Sequence, residues 1–323
     1  QRRWIFDHED ADVLSEQQKY GLGFHVGRFF DKVLDIDHCY LQPEPSNAIR
    51  LFIRRYALDN GLSFFNIREH VGFLRNMFIR TTEEGNVMLI LCFYHEDAQA
   101  RTALLDAVSA EFPQITSLYY VINGKANDSI SDQECILYKG EDAIYEYMEG
   151  LKFKIGPKSF YQTNPKQAYR LYSLVREFAD FKGDERVFDL YTGTGTIALF
   201  VARGVKSVVG VEYVPEAIAD ANINAKINGI DNCKFYAGDM KDILTNDFYI
   251  GTLRERKFRR KKINGADIEL DKSEHIVFEN HHEAIVDFKT FATAQELLKQ
   301  RTTSHYRGIK KYDNKEENGK QVV

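Results

Sequence analysis

The feature that most constrains the fold of this chain is a short glycine-containing stretch, DLYTGTGTIA, between a strand-like and a helix-like apolar run. Gly193 and Gly195 lie in this stretch, and glycine lets the backbone turn tightly and approach a ligand closely. Downstream follow a second strand-like run, KSVVGVEYV, a helix-like run, PEAIADANINAKING, and a third strand-like run, CKFYAGDM. This alternation of strands and helices predicts a parallel, doubly wound α/β sheet.

Upstream of this sheet the sequence predicts a helix and, before it, a separate α+β domain. In SFYQTNPKQAYRLYSLVREFAD, Asn164 can cap the helix and Pro165 suits its first turn. FLRNMFIRT and TTEEGNVMLILCFY predict a hairpin, and DAQARTALLDAVSAEFP has the apolar period of a helix. We therefore divide this part into an α+β domain, 1–155, and a sheet domain, 156–247.

The tail, residues 248–323, has a different character. It holds 16 Lys and Arg against 12 Asp and Glu, whereas the rest of the chain holds 27 against 36. RERKFRRKK is a basic run, DFKTFATAQELLKQR predicts a short helix, and KYDNKEENGKQVV has the composition of a disordered segment. The charge difference suggests two different origins or partners for the two parts.

Composition limits the class of protein further. No run of about 18 apolar residues occurs, so no membrane-spanning helix is expected. The four cysteines are too far apart for a CxxC pair, which argues against a zinc site or a disulfide framework and favours the cytoplasm: Cys39, Cys92, Cys135 and Cys233. The sequence starts without Met or a signal peptide, so we expect it to be the interior of a longer chain.

Acidic residues follow the second and third predicted strands. Glu212 lies 19 residues after Gly193, where an acid can accept hydrogen bonds from ribose hydroxyls, and Asp239 ends the third strand. These features predict a nucleoside site and leave a dinucleotide oxidoreductase open. Asp189, just before the loop, would repel a pyrophosphate and suits the cationic S-adenosylmethionine better.

SFYQTN, DLYTGTGTIA, VVGVEYVPEAIADANINAKING and FYAGDMKDIL resemble the RumA/TrmA family of S-adenosylmethionine-dependent RNA uracil-5-methyltransferases, most closely the branch that acts on 23S ribosomal RNA. The resemblance covers roughly residues 1–247. It implies cofactor contacts by Gln162, Tyr191, Glu212 and Asp239, besides the glycine loop. Thr196 stands where many members carry Asn, so one polar contact is expected to differ.

Many members of the family hold an iron–sulfur cluster with four cysteines. Cys39, in DIDHCYLQ, resembles the fourth of these ligands. A cluster normally needs four thiolates. We therefore expect no cluster in this chain and interpret Cys39 as a small buried residue.

The reaction implied by the resemblance requires a Cys thiolate that adds to carbon 6 of uracil and a base that removes the proton from carbon 5. The family places these residues in and beyond DPPRxG and SCNP-like motifs. Here no Cys follows Cys233 and no Pro follows Pro215. We therefore predict no catalytic residue, an incomplete Rossmann-like domain with about three of seven strands, poor stability because a half-sheet leaves apolar surface open, and no methyl transfer.

The tail has a resemblance of its own. FYIGTLRERKFRRKKINGADIELDKSEHIVFENHHEAIVDFKTFATAQELLKQRTTSHYRGIKKYDN, about residues 248–314, resembles the DNA-binding domain of large serine recombinases. This implies a chimera, with a short α+β fragment in which the basic run makes weak contact with DNA or lies as a solvated strand or loop. His281 and His282 are adjacent, and we expect no metal there.

Overall fold

The computed structural model describes residues 1–6, 9–15, 17–238, 244–256, 258–260, 267–282, 284 and 286–305. The chain divides into two compact units, one of residues 1–237 and one that begins at Gly238. This division lies earlier than the predicted boundary after Asp247, and it joins the first two predicted domains in one unit. No helix of the described residues is long and apolar enough to span a bilayer.

The amino-terminal part of the first unit is α+β, as predicted. Three short strands pair in the order β1-β3-β2, and four longer strands pair in the order β4-β5-β6-β7. These elements and two helices are β1 (Arg2–Arg3), β2 (Phe24–His25), β3 (Lys32–Leu34), α1 (Ser46–Asp59), β4 (Leu74–Thr81), β5 (Val87–Phe93), α2 (Ala98–Glu111), β6 (Ser117–Ile122) and β7 (Ile136–Gly140).

Strand β5 is buried along its whole length because both faces of its sheet are covered. Leu89 and Leu91 pack in a core with Ile49 of α1 and Leu104 of α2. On the opposite face, Ile90 and its neighbours pack in a second core. Strands β4 and β5 form the predicted antiparallel hairpin, and helix α2 connects the parallel pair β5 and β6.

The second part of the first unit begins with a hairpin and continues as an α/β sheet. The hairpin is β8 (Ile144–Met148) and β9 (Leu151–Ile155). The remaining elements are α3 (Pro165–Ala179), β10 (Arg186–Leu190), α4 (Thr196–Ala202), β11 (Ser207–Glu212), α5 (Pro215–Ile227) and β12 (Cys233–Ala237). Asn164 caps α3 as predicted, since its Oδ1 accepts a hydrogen bond from the N–H of Gln167 at 3.1 Å.

Strands β10, β11 and β12 are parallel and pair in that order. Val208 and Phe235 point into a core with side chains of all three helices and of the hairpin strand β9. The opposite face is open: Phe188, Leu190 and Tyr236 are 62%, 47% and 53% exposed. The predicted double winding is therefore not seen in the described residues, because the helices pack on one face only.

The second unit is small and antiparallel. Its described elements are β13 (Leu253–Glu255), β14 (Phe258–Arg260), β15 (Asp267–Glu269), β16 (Ile276–Phe278) and α6 (Phe288–His305). Strand β13 pairs with β16 and β14 with β15. This composition agrees with the predicted short α+β tail, including its helix. The end that was predicted to be disordered, 311–323, lies outside the described residues.

Asp189 fastens α4 to the end of β10. Its Oδ2 accepts hydrogen bonds from Thr192 Oγ1 at 2.6 Å and from the N–H of Ala198 at 3.0 Å. Burial raises the pKa of Asp189, and the two hydrogen bonds oppose that rise in part. A carboxyl group with a raised pKa in the folded state makes folding less favourable at neutral pH, and this effect vanishes when the pH falls below its unfolded pKa.

We therefore expect Asp189→Asn to raise the free energy of unfolding at neutral pH, since the amide oxygen still accepts both hydrogen bonds without a buried charge. The advantage over the unchanged protein should shrink as the pH falls toward about 4, the pKa of an unfolded Asp. Urea unfolding across this pH range measures the difference in the free energy of unfolding. The control is Asp184→Asn, which changes an exposed carboxylate. An advantage that grows as the pH falls would contradict this assignment.

Candidate cofactor-binding site

The glycine loop connects the end of β10 to the start of α4. Within it, the N–H of Thr192 donates to the carbonyl of Val211 on the neighbouring strand at 3.0 Å, and the N–H of Gly195 donates to the carbonyl of Thr192 at 2.9 Å. Tyr191, Gly193 and Gly195 all have positive φ, at 64°, 55° and 80°. The backbone therefore turns sharply here, as the glycines predicted.

Two glycines are required by close packing under this loop. A Cβ on Gly195 would lie 3.1 Å from both Ala221 Cβ and Phe235 Cζ, and a Cβ on Gly210 of β11 would lie 2.5 Å from Phe235 Cδ1. Gly193 is different, since a Cβ there would meet nothing within 4 Å. The loop thus packs tightly on its inner side and is open at Gly193, where a ligand can approach the backbone.

Glu212 ends β11 beside the loop and is half-buried. Its Oε2 accepts a hydrogen bond from the N–H of Gly193 at 3.1 Å, and its Oε1 accepts one from the N–H of Val214 at 3.1 Å. A carboxylate has about four acceptor positions, so both oxygens can accept further hydrogen bonds. The structure therefore brings Gly193 and Glu212 together, at the end of the second strand where the sequence placed the acid.

Two further predicted site residues, Tyr191 and Thr196, flank the glycines of the loop. Tyr191 is 73% exposed at the start of the loop, and Tyr213, which follows Glu212 in the chain and was not predicted, is 70% exposed. Thr196 Oγ1 lies 3.3 Å from Thr194 Oγ1. Asp239 lies outside the described residues. This arrangement leaves an aromatic and polar rim about the open backbone of Gly193.

Gln162 belongs to the SFYQTN stretch before α3 and is exposed. It hydrogen-bonds Tyr172, and this bond partly opposes the raised pKa that burial gives the Tyr172 phenol. Tyr172 packs in the same core as Ala198 of α4. In the same stretch, Ser159 Oγ donates to Asp220 Oδ2 of α5 at 2.6 Å. The stretch is thereby anchored to the elements that hold the loop.

One residue of this region belongs to no motif in the sequence and was not predicted as part of the site. Asn224 of α5 is fully buried, and its Nδ2 donates to the carbonyl of Thr194 in the loop at 3.0 Å. Its signal in the sequence is only its position on the apolar face of α5, three residues after Ala221, where a polar side chain needs a buried partner.

Three of the four cysteines of the first unit are not activated as nucleophiles, and the fourth, Cys39, is half-buried and not buried as predicted. Burial raises the pKa of Cys92 to about 12, that of Cys233 to about 11, and that of Cys135 above its ordinary value. A nucleophilic thiol needs the opposite shift. Cys233 also begins β12, at the end of the sheet away from Glu212, because Val208 pairs with Cys233 and Glu212 with Ala237. Among the described residues no cluster of three metal-binding side chains occurs.

A second concave region lies in the amino-terminal part, a cavity of about 200 Å³ whose lining includes Arg50 and Arg75. Both guanidinium groups are buried and donate to backbone carbonyls, Arg50 to Asp37 at 3.0 Å and Arg75 to Asn123 at 2.7 Å. These two guanidinium groups hold the backbone in place through those hydrogen bonds. The glycine loop is therefore the better candidate for a functional site.

Comparisons with known proteins agree with this assignment. Residues 181–300 match a family model described as a methyltransferase domain. An uncharacterized RNA methyltransferase of Porphyromonas gingivalis is 57% identical over 252 residues, covering 76% of this chain and 54% of the relative. A second, from Bacteroides thetaiotaomicron, is 51% identical over 250 residues, covering 76% and 55%. The chain spans about half the length of these relatives.

Among solved structures, the chain is similar to the tRNA (uracil-54, C5)-methyltransferase of Pyrococcus abyssi in complex with S-adenosyl-L-homocysteine. The TM-score is 0.57 at 28% sequence identity, over 68% of this chain and 52% of the other. Over the part that it shares with these proteins, the chain belongs to the RumA/TrmA family of RNA methyltransferases.

Proposed function

We propose that this chain binds S-adenosylmethionine at its glycine loop, as part of an RNA (uracil-5-)-methyltransferase. The observation that carries the proposal is the hydrogen bond from Gly193, in the loop after β10, to Glu212 at the end of the adjacent parallel strand β11, beside backbone that is open to a ligand. Strand ends of a parallel α/β sheet are where such folds bind nucleosides.

The residues present fit this cofactor. Glu212 keeps acceptor positions for ribose hydroxyls, and the exposed rings of Tyr191 and Tyr213 offer apolar faces to a base or to the methionine part. By resemblance, Gln162, Thr196 and Asp239 complete the contacts. The bound cofactor would supply a methyl group with cationic character, and the carboxylate of Asp189 close behind the loop favours a cation over a pyrophosphate.

For the substrate, we propose a uridine of 23S ribosomal RNA. An RNA substrate is supported by the two RNA methyltransferases described above, and the uracil ring by the Pyrococcus abyssi enzyme, which acts on uracil 54 of tRNA. The choice of 23S ribosomal RNA rests on the resemblance of the motifs alone. A cytoplasmic location follows from such a substrate.

We further propose that this chain does not itself transfer the methyl group. The resemblance places the nucleophile after the third strand, and no cysteine follows Cys233 in this sequence. Of the four earlier cysteines, three have thiols with raised pKa values that remain protonated near neutral pH. Without a thiolate that adds to carbon 6, carbon 5 of uracil is too weak a nucleophile to accept the methyl group.

Glu212→Ala should weaken the binding of S-adenosyl-L-homocysteine about tenfold or more, because it removes the acceptors for ribose and the partner of Gly193. Isothermal titration calorimetry measures this. The matched control is Glu216→Ala, which removes an exposed acid from the first turn of α5 and should leave the affinity within about twofold. Equal affinity of the Glu212→Ala variant and the unchanged chain would overturn the proposed site.

Methyl transfer is tested with tritiated S-adenosylmethionine and 23S ribosomal RNA that has not been modified. We expect no tritium in the RNA above background, while the Pyrococcus abyssi enzyme labels its tRNA in a parallel reaction. Label in uridine carbon 5 that depends on this chain would show that a nucleophile is present and that the proposed inactivity is wrong.

For the tail we propose, as a second candidate function, DNA binding by a fragment of a serine recombinase. Two observations favour a separate origin: the tail lies within the second compact unit, and the two relatives named above each match 76% of the chain. None of the relatives named above is a recombinase, and the methyltransferase-domain match extends into the tail as far as residue 300. The proposal therefore rests on the resemblance and on the excess of basic residues.

Neutralising the basic run with glutamine at positions 256, 257, 259 and 260 should abolish salt-dependent binding of the chain to duplex DNA. Fluorescence anisotropy at several salt concentrations measures it. The control replaces four exposed basic residues of the first unit, Lys182, Arg203, Lys206 and Lys234, and should leave DNA affinity unchanged. If both variants lose the same amount of DNA affinity, the binding depends on net charge and not on the basic run, which would contradict the proposal.

A further inference from the structure

Two asparagines one turn apart, Asn224 of α5 and Asn228 directly after its last residue, both bind the backbone of strand β9. The N–H of Lys154 donates to Asn224 Oδ1 at 2.7 Å, and the N–H of Lys152 donates to Asn228 Oδ1 at 2.8 Å. Asn228 Nδ2 returns a hydrogen bond to the carbonyl of Lys152 at 2.7 Å. The two side chains thus satisfy backbone groups of β9 that its hairpin partner leaves free.

The two asparagines differ in where their amide N–H groups point. Asn228 Nδ2 donates to β9 and to the carbonyl of Asn224 in α5. Asn224 Nδ2 instead donates to the carbonyl of Thr194, between Gly193 and Gly195. Asn224 and Thr194 are 0% and 3% exposed, so water cannot replace this bond.

We propose that Asn224 is a positioning residue for the cofactor loop, an inference that rests on the proposed function. Its hydrogen bond fixes the carbonyl of Thr194 inward. The peptide group that follows Thr194 is thereby held at both ends, since its N–H, that of Gly195, donates to the carbonyl of Thr192 at 2.9 Å. The loop is then held from two sides, by Asn224 on the inside and by Glu212 at Gly193.

The aspartate variants of the two residues separate this role from a general contribution to stability. Asn224→Asp keeps the acceptor for Lys154 but loses the donor to Thr194 and places a carboxylate beside a carbonyl oxygen. Asn228→Asp keeps the acceptor for Lys152 and loses donors to β9 and α5 only. Each variant adds one negative charge at α5. Because Asn224 is fully buried and Asn228 is half-buried, thermal unfolding of both variants is compared with their affinities, so that the cost of burying a charge is separated from loss of the loop contact.

The experiment titrates S-adenosyl-L-homocysteine into the unchanged chain and both variants by calorimetry, well below the melting temperature of each, with thermal unfolding measured in parallel. We expect Asn224→Asp to weaken binding about tenfold or more, as loss of one buried hydrogen bond implies. Asn228→Asp should stay within about twofold of the unchanged chain, even where its melting temperature falls.

Equal affinities of the two variants would overturn the positioning role while leaving the proposed function intact. No binding by the unchanged chain would overturn the proposed function and this inference with it. If Asn224→Asp fails to fold, the pair Asn224→Ser and Asn228→Ser decides the question by the same comparison, because serine is too short to reach Thr194 from α5.

Discussion

The hydrogen bond from the Gly193 N–H to the Glu212 carboxylate joins the ends of β10 and β11, and the candidate site depends on it. It forms only because the loop lies close to the sheet. That approach requires Gly195 and Gly210 to lack side chains where Phe235 packs beneath them. Burial of one aromatic ring thus determines how near the loop comes to the acid, and the geometry offered to a nucleoside follows from packing in the core.

Much of this arrangement could be predicted from the sequence because it depends on local rules. The cap at Asn164, the turn at Gly193 and Gly195 and the order of strands and helices follow from short-range preferences. Glu212 was predictable because parallel strands end at the same edge of a sheet. Its bonds to two backbone N–H groups were not, since they depend on how far β11 extends beside the loop.

Long-range contacts were beyond such prediction. Residues 144–155 form a hairpin that packs on α5, so the first two predicted domains share a core, and no local pattern marks this. Asn224 belongs to the same class, because its partners Lys154 and Thr194 lie 70 and 30 residues away along the chain. The open face with Phe188 and Tyr236 likewise becomes visible only once the helices are placed on the other side.

After β12 the match to the methyltransferase family model continues, but the parallel sheet does not. The family model extends to residue 300, whereas the described strands beyond β12 pair in antiparallel fashion and form no part of the parallel sheet. The parts that serve the proposed cofactor site are complete within the first unit, apart from Asp239. The proposed binding and the proposed lack of methyl transfer are therefore separable by experiment, since the first depends on the loop and the second on an activated thiol.

The central claim is that the cofactor binds where Gly193 meets Glu212, and a crystal structure of the chain with S-adenosyl-L-homocysteine tests it most directly. We predict electron density for the nucleoside beside the glycine loop, with ribose hydroxyls within hydrogen-bond distance of the Glu212 carboxylate. Density for the ligand elsewhere, such as in the amino-terminal cavity beside Arg50 and Arg75, would contradict this account.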